Sequence, residues 1–189
     1  MTVWIIIILS VVAMDQASKW LVMLFLDRGE PLTLIPGVLR FTYVENTGAA
    51  FGSFGDQRWV FMIVSIIGII ALFVYLWKFR PDSKWACTAL SMIIGGGIGN
   101  MIDRTCYNGS LATTIGKKVV IDFIDFCAFP EIWPWVFNIA DSFVCVGAGI
   151  LIVWCVYTIV QESKELKRAK AASANADVSS EQEDSPDKE

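Results

Sequence analysis

Asp141 lies seven residues past Pro134, at the head of an almost unbroken apolar run that continues to Val160. Ionisable groups inside a bilayer are costly, so an acid in that position points to function first. A second acid, Asp122, lies upstream in Val120-Ile121-Asp122-Phe123. Two carboxylates brought together beside a membrane can divide the work of hydrolysis, one as general base and one as general acid. The chain has no histidine. That excludes Ser-His and Cys-His catalysis and argues against a zinc hydrolase.

Such acids need a membrane scaffold to hold them. The chain has 189 residues, 55% of them hydrophobic, with eight Trp. This is too apolar for an ordinary soluble domain and fits a small polytopic membrane protein. A span takes roughly 20 mostly apolar residues. Residues 3–26, 59–79, 85–102 and 135–160 meet that requirement. No basic residue precedes Ile5 and the apolar run resumes after Lys19, so the first reads as a retained span, not a signal peptide. Together these predict a membrane domain over residues 1–160. Residues 161–189 are charged, rich in Ser and Ala and without aromatics, which predicts a disordered tail.

Orientation follows from Lys and Arg. Lys78, Arg80 and Lys84 occupy the short connection between spans two and three, and Lys164, Lys167, Arg168 and Lys170 follow span four. The positive-inside rule puts both groups, and hence both termini, in the cytoplasm. The loops 27–58 and 103–134 then face out. In the first, Leu32–Ile35 and residues 38–44 flank Pro36-Gly37 and read as two strands around a turn. They cradle a peptide, rest on the membrane surface or simply cap the bundle. Residues 45–53 are rich in Gly and Ala and suggest a short helix or a flap hinged at Gly48 and Gly52.

Depth gathers the polar residues. At 1.5 Å per residue, Asp141 falls about 10 Å below the outer start of span four. Asn138 is three residues earlier, on nearly the same face. Asn100, Asp103 and Arg104 fall at the outer end of span three, Asp15 and Lys19 in the outer half of span one, and Asp122 on the outer loop before span four. Polar groups from distant parts of the chain thus share one zone, the outer leaflet.

Plainer explanations compete for several of these. Asp15 and Lys19, one helical turn apart, suit a structural ion pair. Gly95 and Gly99 have the Gly-x-x-x-Gly spacing of close helix packing and lack the setting of a phosphate loop. Asp103-Arg104 suits an ion pair at the lipid headgroups, and Asn138 with Asp141 suits a polar helix-packing pair. Asp125 competes with Asp122 as the reactive loop acid. Of the five cysteines, Cys106 and Cys127 share the second outer loop and are candidates to pair in an oxidising compartment.

The ordered set Asp15-Gln16-Ala17-Ser18-Lys19, Glu45 through Phe51, Gly95 through Arg104, Val120-Ile121-Asp122-Phe123 and Phe137-Asn138-Ile139-Ala140-Asp141 resembles the lipoprotein signal peptidases (signal peptidase II), bacterial aspartic peptidases of the inner membrane. The resemblance covers nearly all of the chain before the tail. It implies an all-α polytopic protein of four transmembrane helices with a small extracytoplasmic β-cradle. It also implies an endopeptidase that cleaves prolipoproteins just before a diacylglyceryl-modified cysteine. A monomer surrounded by membrane lipid, with no nucleic-acid partner, is the expectation for its associations. By the same resemblance Asp122 and Asp141 are the catalytic pair. Asn46, Asn100, Arg104 and Asn138 match substrate-site positions, and Asp15, Lys19 and Asp103 match supporting ones. One departure stands out: the stretch 105–119, with Lys117 and Lys118, is longer than is usual in that family.

Aspartic chemistry needs no metal or organic cofactor, because paired carboxylates share one proton and titrate together. A transporter or proton channel would also bury Asp, Asn and Arg in a bundle, but it needs a polar path through the cytoplasmic half, where spans two and four are nearly all apolar. A non-enzymatic assembly factor would need no paired acids. A Ser/Lys peptidase built on Ser18 and Lys19 is disfavoured, since adjacent helical residues point about 100° apart.

Overall fold

The computed structural model describes residues 1–48, 58–111 and 113–183. The proposed flap, apart from its first residues, lies outside them. Four helices are present among the described residues: α1 (Thr2–Phe25), α2 (Arg58–Lys78), α3 (Lys84–Cys106) and α4 (Ile139–Glu183). Three, α1, α3 and α4 (over Ile139–Arg168), are long and apolar enough to cross a membrane, and Met62–Lys78 of α2 is an apolar helix among the described residues.

Helix α1 buries one stripe, Ile8, Val11, Asp15, Lys19 and Val22. Those residues recur every three or four positions and so share a face. That face meets α3 at its glycines. A Cβ on Gly95 would come within 2.8 Å of the Val11 Cβ, and one on Gly99 within 3.1 Å of the Asp15 Cγ. The Gly-x-x-x-Gly spacing therefore serves close helix packing, and α1 keys into α3 at two points one turn apart. Below this contact Ile8, Leu76, Cys87, Leu90 and Ile94 form an apolar core joining α1, α2 and α3.

The strands form one antiparallel sheet in the order β1 (Leu32–Ile35), β2 (Leu39–Asn46), β3 (Val120–Phe126) and β4 (Val136–Phe137). The predicted hairpin is present, with Gly37 at φ +71° in the turn and the Val38 N–H bonded to the Ile35 carbonyl at 3.0 Å. Strands β3 and β4 were not foreseen, so an all-α description is incomplete and Asp122 lies on a strand instead of a loop. The β-branched and aromatic residues of Val120–Phe126 suit the pleated surface they occupy. Opposite Phe123 the pairing slips, with two residues of β2, Thr42 and Tyr43, facing one of β3. Such a bulge adds twist and re-aims neighbouring side chains. The sheet's inner face packs Tyr43, Val119, Ile121 and Phe123 against Val22 of α1.

Two element boundaries move from expectation. Helix α3 continues to Cys106, which takes Asp103 and Arg104 inside its last turns. Helix α4 starts at Ile139 because Val136 and Phe137 are drawn into the sheet beside β3. Asp141 therefore lies in the first turn, not two turns deep, and Asn138 precedes the helix. The tail departs further: α4 stays helical to Glu183, where disorder was expected from residue 161. Its Ala, Glu, Lys, Gln and Arg content favours helix. The chain divides into two compact units, Met1–Leu151 and Ile152–Glu189. The first holds α1 to α3, the sheet and the opening turns of α4; the second is the rest of the chain. All five cysteines are free, so Cys106 and Cys127 are not joined.

Candidate active site

Asn138 and Asp141 organise the start of α4. The Asp141 N–H donates to Asn138 Oδ1 at 2.9 Å, and the Asn138 N–H donates to Asp141 Oδ2 at 3.2 Å. This is a reciprocal capping box, which satisfies the orphan N–H groups of a helix start and favours a negative charge there. The next orphan, Ala140 N–H, donates to Asp15 Oδ1 of α1 at 2.9 Å. A short polar-x-x-acid phrase thus fixes both the helix boundary and the carboxylate. That signal was present in Asn138-Ile139-Ala140-Asp141.

The two acids are tied together by amides. Asn138 Nδ2 donates to Asp122 Oδ1 at 2.7 Å and to Asn100 Oδ1 at 2.9 Å. Asn100 Nδ2 in turn donates to Asp141 Oδ1 at 2.7 Å, and Asn46 Nδ2 donates to Asp122 Oδ2 at 2.8 Å. Each carboxylate oxygen therefore receives at least one N–H. Asp122 is 3% exposed. Burial first, and the neighbouring Asp141 charge second, raise its pKa to about 7, while the bonds from Asn46 and Asn138 pull the other way. Asp122 accordingly holds a proton through much of the neutral range.

Behind this pair lies a second buried cluster. The Lys19 ammonium sits 2.8 Å from Asp15 Oδ2 and 2.8 Å from Asp103 Oδ2, with all three side chains fully buried. It also donates to Asn100 Oδ1 at 3.1 Å, which links this cluster to the two acids. Gln16, whose part spacing did not reveal, bridges Asp103 Oδ1 at 2.8 Å and the Gly99 carbonyl at 3.2 Å. Asp103 also receives the Ile121 N–H of β3 at 3.3 Å. Asp103 is thus an internal strut and not a headgroup contact. Arg104 Nη1 donates to the Asn100 carbonyl at 3.0 Å.

All nine predicted site residues thus fall in one connected region. Asp125 does not join them. Three residues along a strand from Asp122, it points to the other face, and it pairs with Arg40 Nε at 2.6 Å. Glu45 was missed as a buried polar residue: it is 8% exposed and bonded to Tyr43, Ser110, Leu111 and Thr114. Among the described residues no buried side-chain nitrogen or oxygen lacks a partner, and no cluster of acids and cysteines is arranged to hold a metal ion. Asp122 and Asp141 are thus linked through two asparagine amides, with Asp122 holding a proton near neutrality.

The chain is similar to known proteins over most of its length. The family model for signal peptidase (SPase) II matches residues 7–157. A lipoprotein signal peptidase of Halalkalibacterium halodurans is 35% identical over 170 residues, covering 90% of this chain and 99% of the relative. One from Geobacillus thermodenitrificans is 37% identical over 144 residues, covering 76% and 83%. Among solved structures, a bacterial membrane enzyme determined by the in meso method at 2.3 Å superposes with a TM-score of 0.71 at 30% identity, covering 83% of this chain and 89% of that one. Another, at 1.9 Å, gives 0.69 at 31% identity over 82% and 93%. On the extent of these matches the chain belongs to the signal peptidase II family.

Proposed function

We propose that this membrane protein removes signal peptides from prolipoproteins as an aspartic endopeptidase, cleaving before a diacylglyceryl-modified cysteine with Asp122 and Asp141 as the catalytic pair. The observation that carries the reading is the amide bridge through Asn138 and Asn100, which holds two carboxylates from different elements in one network. Asp122, protonated up to about pH 7, enters as the acid; Asp141 enters as the base. Asp141 takes a proton from water while the water oxygen adds to the scissile carbonyl carbon. The carbonyl oxygen takes the Asp122 proton. The C–N bond then breaks as the leaving amine collects the proton held by Asp141, while one hydroxyl of the tetrahedral intermediate returns its proton to Asp122, which leaves a carboxylic acid and restores the pair. Asn46 and Asn138 orient Asp122, and Asn100 orients Asp141. Arg104, bonded to the Asn100 carbonyl, is assigned to a substrate carbonyl or headgroup.

The same reading sets the protein in the bacterial inner membrane with four spans, both termini cytoplasmic and the sheet outside as a cradle. Its supports are the basic residues of the α2–α3 connection and of the segment after residue 160, and the placement of Asp122 and Asp141 where the sheet meets the helix start. The acids then lie toward the outer leaflet, where a lipid-modified signal helix arrives sideways.

The test is direct. Purified protein is incubated with a diacylglyceryl-modified prolipoprotein and with the unmodified precursor. Release of the signal peptide from the modified precursor alone is expected. Failure to cleave it, or equal cleavage of both, refutes the proposal.

A further inference from the structure

The loop 107–119, longer than the resemblance leads one to expect, is closed and clamped. Its neck is joined by the Val119 N–H to the Tyr107 carbonyl at 3.2 Å, and its interior by the Gly109 N–H to the Lys117 carbonyl at 2.7 Å. Its near side is bound to one side chain, Glu45. The Glu45 carboxylate accepts the Ser110 N–H on both oxygens at 3.1 and 2.9 Å, the Leu111 N–H at 3.1 Å, the Ser110 hydroxyl at 2.5 Å and the Thr114 hydroxyl. The Tyr43 hydroxyl adds a bond at 2.9 Å from the same strand. Burial alone would raise the Glu45 pKa; these donors outweigh it and hold the group down at about 2, so it is ionised at any working pH.

The position of Glu45 gives this clamp its meaning. Successive residues of a strand point to opposite faces. Glu45 faces the loop, while Asn46, the last residue of β2, faces Asp122. Across the sheet Glu45 pairs with Ile121 and Asn46 with Val120, and Val120 directly follows the clamped loop. A strand end frays unless tied down. Here the tie comes from the segment that leads into the partner strand.

We propose that Glu45 is a positioning residue: by latching the loop 107–119 onto the end of β2, it keeps Asn46 in register to donate to Asp122. The loop is thereby part of the support for the site, and its chemistry is that of an anion held by backbone N–H groups and hydroxyls. The proposal rests on the assignment of Asp122 to the catalytic pair.

The experiment uses the full-length protein in detergent, with Glu45→Gln and Thr114→Val beside the native chain and Asp122→Asn as a control. Trypsin cutting at the exposed Lys117 reads the latch, and kcat and KM on modified prolipoprotein read the positioning. Glu45→Gln is expected to speed cutting at Lys117 and to lower kcat about tenfold with KM unchanged within roughly twofold, as loss of alignment does. Thr114→Val, which leaves β2 untouched, is expected to move both readings the same way by a smaller factor, and it serves should Glu45→Gln fail to fold. Unchanged kcat in a folded variant that trypsin cuts faster at Lys117 overturns the proposal. So does a fall in kcat without faster cutting. If Asp122→Asn stays active, it is the catalytic assignment that fails, whatever the latch variants do.

Discussion

The side-chain amide of Asn138 donates to Asp122 Oδ1 at 2.7 Å, while its carbonyl oxygen caps the helix that carries Asp141. One residue therefore serves two purposes, and they can be separated. Asn138→Ala removes both, so a stability loss of about 1 kcal/mol is expected from the missing cap. Activity should fall about a hundredfold with the lost alignment. Asn138→Ser restores a capping oxygen without an amide donor. It should recover most of the thermal stability and little of the activity, as thermal unfolding and turnover on the same sample would show.

Each acid of the pair is expected to be indispensable. Asp122→Asn and Asp141→Asn should each lower kcat by roughly 10⁴-fold, since members of a catalytic unit fail singly. Asp125→Asn should keep most activity, because Asp125 is engaged with Arg40 and Thr42. Single-turnover cleavage of modified precursor distinguishes these variants. An active Asp122→Asn beside a dead Asp125→Asn would reverse the assignment.

The proton on Asp122 predicts two pH dependences. Activity should fall as pH rises through about 7, where the acid member of the pair is lost. Stability should move with it. A carboxyl whose pKa is raised from 3.8 to about 7 binds its proton more tightly folded than unfolded, so this group's contribution weakens as pH climbs across that window. Glu45 has the opposite sign: lowered from 4.5 to about 2, it adds stability above 4.5 that is lost as pH falls toward 2. Melting curves between pH 5 and 8 should therefore decline with pH in the native chain and flatten in Asp122→Asn. An unchanged slope would show that other groups set it.

Lys19 is expected to matter through charge balance. Lys19→Met would leave Asp15 and Asp103 buried together without their cation, which costs about 3–5 kcal/mol. Adding Asp15→Asn and Asp103→Asn to Lys19→Met should recover part of that loss. Unfolding in detergent of the single and triple variants is the measurement. Equal stability of Lys19→Met and the native chain would mean that water or lipid reaches the cluster.

Hydrophobic runs located the helices well, because burial in lipid demands long apolar segments whatever the tertiary contacts. The same reasoning misplaced Asp141 in depth. Residues 135–137 are as apolar as a span, yet Val136 and Phe137 are taken by pairing with β3, a long-range contact that periodicity cannot register. Asp122 was placed on a loop for a similar reason: seven residues of strand show no clean alternation when both faces are partly buried. The site itself was legible as a set of residue types that share a zone. Its wiring was not. The Asn138 to Asp122 bond, the Lys19 to Asp103 pair and the Glu45 clamp each join residues far apart in the chain.

The buried cation also bears on how the protein is made. A chain is synthesised from its N-terminus, so α1 meets the membrane before Asp103 has been translated. Lys19 and Asp15 are one turn apart on that helix and 2.8 Å from each other. The first span thus carries its own counterion during biogenesis and can enter the bilayer as a neutral pair. Asp103 arrives later as a second anion, and with it the cluster becomes net negative only once α3 has closed over the glycine notch. The same ammonium group is thus available first to Asp15 within one helix and then to Asp103 between two.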